Sequence, residues 1–275
     1  MRMVRPWGKR KGNDTAVWDP ALGLIDERDL EGADVVIHLS GASISGLRWT
    51  ARKRGAIAKS RIQSTQLLAA ALASMTNPPS TFLVASAVGF YGDRGDERLS
   101  EESPPGAGFL ADVAQEWESA ASPAVARGIR VVNLRTAVVL SGAGGSLPVM
   151  LRPFKLWVGG VLGNGRQWMS WVALEDVVAS IMHTLVTDSL SGPVNVSSPN
   201  SVTNRTFTQT VGRVLSKPTL LPAPAFALRL VMGRMADELL LSSARVKPRK
   251  LLESGYRFHY PDLETTLRHA VGKAA

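Results

Sequence analysis

The chain has 275 residues, is 45% hydrophobic and carries a formal net charge of +9 without a single cysteine. That length suits one large α/β domain, or a domain with a small lobe, and it contains no apolar run of the length a membrane-spanning helix needs. The missing cysteines exclude disulfides, thiolate nucleophiles and cysteine-ligated metals and fit a reducing cytoplasm, and the basic opening lacks the apolar stretch of a secretory signal.

Taken in order, the first regular pattern is a short apolar run over residues 34–40, Asp-Val-Val-Ile-His-Leu-Ser, closed by Gly41. A helix is predicted from about Thr50 to Ser74, with Ile57, Ile62, Leu67, Leu68 and Leu72 on its apolar side and Asn77-Pro78-Pro79 as its stop. A second strand is predicted over 81–88, ending at Gly89, then one helix from about Phe109 to Arg127 and a third strand over 129–138. Continuous apolar strands separated by helices imply parallel strands buried on both faces. Beyond residue 141 glycine and proline become frequent, and helices are expected near 174–187, 203–215 and 224–245. The pattern is that of a Rossmann-like half, 1–140, followed by a helical and irregular lobe, 141–275, packed against it.

Two basic stretches contain no acidic residue: Arg2, Arg5, Lys9, Arg10 and Lys11, then Arg48, Arg52, Lys53, Arg54, Lys59 and Arg61. They fit a phosphate-bearing partner, a nucleotide cofactor or nucleic acid, and for the second stretch a solvated helix face fits equally well. Aromatic residues are not interleaved with them, which argues against specific nucleic-acid binding. His38, His183, His259 and His269 are scattered without metal-ligand spacing, so no metal site is expected.

A dinucleotide fold holds the pyrophosphate at a glycine-rich turn between its first strand and first helix. No such strand–turn–helix unit precedes Asp34. The turn Ser141-Gly-Ala-Gly-Gly-Ser146 imitates one, but it sits mid-chain and has no acidic residue about twenty positions on to hold a ribose, so it reads as a plain turn. Ser86, at the end of the second predicted strand in Val-Ala-Ser-Ala-Val-Gly-Phe-Tyr-Gly, lies where open parallel sheets bind ligands. Its hydroxyl either bonds a substrate oxygen or caps the next segment. Tyr91, Asp112 and Glu116 are the nearest groups that could handle a proton; a tyrosine packed under a turn and carboxylates on a wet helix face are the alternatives.

The serine strand resembles that of the extended short-chain dehydrogenases and epimerases, and His38-Leu-Ser-Gly-Ala42 resembles the strand end that passes their cofactor. More narrowly, the chain is similar to the family of sugar-nucleotide epimerases with a C-terminal domain of unknown function. Arg48-Trp-Thr50, Ser60-Arg61, residues 134–140, Gly165-Arg-Gln-Trp-Met-Ser-Trp171 with Glu175-Asp176, residues 192–199 and Leu251-Leu-Glu-Ser-Gly-Tyr-Arg-Phe258 carry this likeness over nearly all of 16–270. The resemblance implies a cofactor, NADP or NAD with NADP favoured, bound by Arg5, Leu39, Ser40, Gly41, Ala42 and Arg61. It further implies catalysis at Ser86 with Tyr91, and a nucleotide-sugar-like substrate held by Arg166, Trp168 and Trp171, although two core tryptophans and a surface arginine would read the same way.

Two departures stand out. The family's glycine-rich opening is absent from this sequence, and no tyrosine is followed four residues later by lysine: Tyr91 meets Gly95, Tyr256 meets Tyr260 and Tyr260 meets Glu264. Two functions stay open: an NAD(P)-dependent epimerase or oxidoreductase, or a non-catalytic ligand-sensing or scaffold protein that keeps the fold. With a strand and helix missing, exposed edges and compensating homo-oligomerisation are expected.

Overall fold

The computed structural model describes residues 2–4, 15–46 and 48–273. Strand β1 (Arg2–Val4) runs parallel to β2 (Thr15–Asp19), and β3 (Leu24–Ile25) returns antiparallel to β2. Next come β4 (Val35–His38), the long α1 (Ala51–Ser74), β5 (Thr81–Ala87), β6 (Arg98–Leu99), α2 (Phe109–Ser119), α3 (Ser122–Ala126), β7 (Arg130–Thr136) and β8 (Val138–Leu140). The remainder holds α4 (Ser146–Lys155), β9 (Trp168–Met169), β10 (Trp171–Ala173), α5 (Leu174–Leu185), β11 (Gly192–Val196), β12 (Val202–Thr203) and α6 (Asn204–Leu215). The chain closes with α7 (Ala225–Met232), α8 (Arg234–Ala236), a π-helical turn (Asp237–Leu241), β13 (Arg245–Val246), α9 (Arg249–Glu253) and α10 (Leu263–Ala270).

The central sheet has the order β11-β7-β5-β4, all parallel, with Val35 opposite Thr81, Thr81 opposite Arg130 and Val132 opposite Gly192. β11 lies beyond residue 140, so the chain returns to the sheet after its helical excursion and the expected division at 140/141 is not a break in the sheet. In β5, Phe82, Leu83 and Val84 are all fully buried, as expected of a parallel strand covered on both faces. Each such side chain contributes roughly 1.5–3 kcal/mol.

β4 is different. Val36 and His38 are buried while Val35 is 36% and Ile37 44% exposed, so only one face of this strand is covered. On its far side the three-stranded sheet β1-β2-β3 stands apart, with no ladder joining β1 to β4 among the described residues. Both sheets nevertheless pack into one core, in which Ala16, Leu30 and Val36 meet Leu68, Leu72, Phe82 and Trp117, with Met3 and Ile25 against it.

Local chemistry sets the boundaries. Thr50 caps α1 by accepting the Lys53 N–H at 3.1 Å. The buried side of α1 is more polar than its apolar periodicity predicts: Ser64 and Thr65 lie fully inside, where Ser64 meets the His38 ring at 3.0 Å and Thr65 accepts from the Trp117 indole at 2.9 Å. The single helix expected over 109–127 is two, because Pro123 has no N–H to continue the first ladder and instead opens α3. The third strand also divides. Ala137 donates to Val196 while Val138 donates to Ser170, so the chain leaves the central sheet there and β8 pairs with β10. The helix expected over 224–245 breaks at Gly233, whose φ is +61°, and continues as α8 and the π-helical turn.

The glycine turn at 141–146 is explained by packing. A Cβ on Gly142 would sit 1.8 Å from the Ala270 carbonyl oxygen, and Gly145 has φ +77° where it caps α4. Its glycines let the C-terminal helix approach. No described helix is long and apolar enough to cross a membrane.

Candidate functional site

The carboxyl ends of β4 and β5 open on one side of the sheet, and the loop after β4 forms its rim. Leu39 is 59% exposed and Ser40 and Gly41 are exposed with it. Helix α1 holds this loop by its backbone: Ser60 Oγ accepts the Ala42 N–H at 2.9 Å, and Arg61 Nη1 donates to the Ala42 carbonyl at 3.0 Å and to that of Ile57 at 3.1 Å. The Arg61 guanidinium lies 5.1 Å from the Trp117 ring and 3.2 Å from where a Cβ of Gly41 would stand. Burial pulls its pKa down from the usual arginine value. The structure thus places Arg61 beneath the loop as its support rather than on its ligand-facing side. Gly41 is the residue that lets the loop lie flat on it. Arg5, the other cationic candidate, falls outside the described residues.

Beneath the rim is a buried polar network. Ser86, 4% exposed, donates to Glu118 Oε1 at 2.7 Å. Both oxygens of Glu118 are held by Arg135, through Nε at 2.8 Å and Nη2 at 2.8 Å, the paired fork geometry that makes such contacts strong. Arg135 Nη1 reaches the Tyr91 hydroxyl at 3.0 Å, and that hydroxyl donates to Asn195 Oδ1 at 2.7 Å. The guanidinium also lies 3.4 Å from the centre of the Phe90 ring. Burial opposes the Arg135 charge, but its bonds to Glu118 and Tyr91 outweigh this and hold its pKa above the usual value.

Tyr91 is fully buried, and burial pushes its phenol up from the ordinary tyrosine value. With its proton given to Asn195 and Arg135 on its oxygen, it braces the network and has no surface to offer a substrate. Asp112 and Glu116, the other proton-handling candidates, are exposed on α2, whereas Glu118 of the same helix turns inward to Ser86. Glu101 completes the floor: Oε1 accepts the Asn195 N–H at 3.1 Å and the Lys250 N–H at 3.2 Å, Oε2 is buried without a described partner, and burial raises its pKa.

The three residues expected to hold a substrate are not brought together. Trp171 is fully buried among Leu140, Leu147 and Phe207, with its indole N–H on the Asn200 carbonyl at 2.9 Å, so it is a core residue. Trp168 is half-buried, bonded to Asp96 at 2.8 Å, and has the Arg245 guanidinium 4.0 Å over its ring, a face that a ligand would otherwise stack on. Arg166 is exposed and remains the one candidate of the three able to meet a ligand. No group of three or more His, Asp or Glu among the described residues could hold a metal ion.

Sequence reasoning passed over Glu118, and it met Ser60, Arg135 and Asn195 only as members of motif stretches, without a place in the site. One signal was available: an arginine inside an apolar strand, as in Leu134-Arg135, requires a buried counter-charge. Its partner, 17 residues back on another element, has no such mark.

Known proteins share the family and the fold. The profile of the NAD dependent epimerase/dehydratase family matches residues 24–197, and that of a domain of unknown function, DUF1731, matches residues 223–270. An epimerase family protein of Mycobacterium tuberculosis is 41% identical over 253 residues, covering 92% of this chain and 83% of the relative. The Bacillus subtilis epimerase family protein YfhF is 38% identical over 250 residues, 90% of this chain and 82% of its own. Among solved structures, the human epimerase family protein SDR39U1 (isoform 2) with NADPH superposes with a TM-score of 0.86 at 29% identity, covering 99% of this chain and 91% of the human one. A nucleoside-diphosphate sugar epimerase from Corynebacterium glutamicum gives 0.76 at 35% identity over 94% of this chain and 52% of its own.

Proposed function

Since the chain belongs to the NAD-dependent epimerase/dehydratase family, we propose that it binds NAD(P), with NADP favoured, and acts as an epimerase or oxidoreductase on a nucleotide-sugar-like small molecule. The observation that carries this reading is the clamped, solvent-facing loop 39–42 beside Ser86 at the carboxyl ends of parallel strands, the place where such sheets take ligands. The human relative with NADPH supports the choice of cofactor.

The residues present fit the group at this rim. Leu39, Ser40 and Gly41 leave an exposed, small-residue ledge, and Gly41 cannot gain a side chain without pressing on Arg61. They would hold the cofactor along the loop's outer side, where the nicotinamide would supply hydride exchange. The pyrophosphate's usual helix N-terminus is not found among the described residues ahead of β4.

Ser86 Oγ is the atom proposed to meet a substrate hydroxyl, accepting from it because its own proton goes to Glu118. Glu118 and Arg135 position it, and Tyr91 with Asn195 positions Arg135. Arg166 is the cation proposed to meet a substrate phosphate.

Titration of the purified chain with NADPH, followed by cofactor fluorescence, tests the reading: saturable binding below millimolar concentration is expected, weakened severalfold in Ser60→Ala, where the Ala42 N–H loses its acceptor. Absence of saturable binding would leave a fold-retaining, non-catalytic protein as the better account.

A further inference from the structure

The sheet half and the C-terminal segment exchange helix caps. Helix α2, which carries Glu118, starts after Gly108, a residue at φ +113° with no side chain to cap it. Its first donors are met from far along the chain: Glu238 Oε1 accepts the Phe109 N–H at 3.1 Å and Oε2 the Leu110 N–H at 2.8 Å. In the other direction, α7 ends before Gly233, and its last carbonyls are met from the sheet half. Arg48 Nε donates to the Val231 oxygen at 2.7 Å and Nη2 to that of Leu230. Each side chain has the sign that the helix end it meets favours, a carboxylate at an N-terminus and a guanidinium at a C-terminus.

Three further observations tie the caps together. Trp49, adjacent to Arg48, packs edge-on against Phe109, adjacent to Gly108, with ring centres 5.5 Å apart. Glu238 lies on the π-helical turn 237–241, a widened turn of the kind that concentrates at functional sites. Helix α7 has no buried residue, and Phe226 and Leu230 are 72% and 73% exposed, so side-chain burial does little to fix it.

We infer that Glu238 and Arg48 form a latch that holds the segment 225–242 against the sheet half, so that the first turn of α2 and the last turn of α7 order and loosen together. Opening the latch frees the N-terminus of the helix whose Glu118 anchors Ser86, which couples the cover to the floor of the site. The inference extends the reading of this cleft as a ligand site, but its test uses no ligand, so the two stand or fall separately.

Hydrogen–deuterium exchange on the full chain provides the test, with wild type compared with Arg48→Met, Glu238→Ala and the double variant. Arg48→Met is expected to speed exchange of the Phe109 and Leu110 amides, and Glu238→Ala that of the Val231–Gly233 amides, each roughly fivefold, the loss of about one helix cap. The double variant should be no faster than about either single one. Should each variant speed exchange only at the helix end its own side chain meets, or at neither, there is no latch. If circular dichroism shows that Glu238→Ala does not fold, Glu238→Gln, which keeps one acceptor and removes the charge, carries the same comparison.

Discussion

The floor of the cleft and its rim are built on opposite principles. At the floor, beneath the ends of β5 and β7, Ser86, Arg135, Tyr91 and Asn195 are buried and, with the largely buried Glu118, satisfy one another. At the rim, Leu39, Ser40 and Gly41 stand in solvent and the loop is held by its backbone, on Ser60 and Arg61. The difference teaches where function can change. A floor whose members each hold another in place fixes geometry, whereas a rim of small and exposed residues accepts a ligand without dismantling anything.

The sharpest way to break this contrast is at the centre of the floor. Arg135→Ala leaves Glu118 largely buried without its counter-charge, and a loss of about 3–5 kcal/mol in chemical denaturation is expected, with much of it recovered when Glu118→Leu is added. Equal losses in the single and double variants would show that the pair does not act as a unit.

The inner face of β4 gives the next effect. Burial pulls the His38 pKa down to about 4, against the ordinary histidine value, so the folded chain favours the neutral ring. Its contribution is intact above about pH 6.5 and is lost as pH falls through that value toward about 4, amounting to about 3 kcal/mol in all. Denaturation midpoints measured across that interval should fall with acid, and His38→Gln should flatten the decline.

The smallest effect belongs to the outer face of the same strand. Ile37→Thr is expected to change stability by less than about 0.5 kcal/mol, a surface-like value on an apolar β-strand residue. A larger cost in solution would mean that this face is covered there, by another copy of the chain or by a further segment.

What the sequence determined by itself is the scaffold. Alternating apolar runs and helices specify a parallel α/β sheet because strands buried on both faces must be continuously apolar, and Thr50 starts α1 by local chemistry alone. The motif residues Ser60, Arg61, Arg135 and Trp171 were visible, and the fold they imply is the one observed; what each side chain touches was not legible in them. Only the tertiary structure decided that Trp171 is core, that Arg61 supports a loop from beneath, that Tyr91 braces an arginine, and that Glu118 rather than Asp112 or Glu116 faces Ser86. The physical reason is that period and propensity report which residues leave water, whereas the partner a buried polar group finds is set by contacts far apart in the chain. Ser86 meets Glu118 at a separation of 32 residues, Tyr91 meets Asn195 at 104, and Leu110 meets Glu238 at 128.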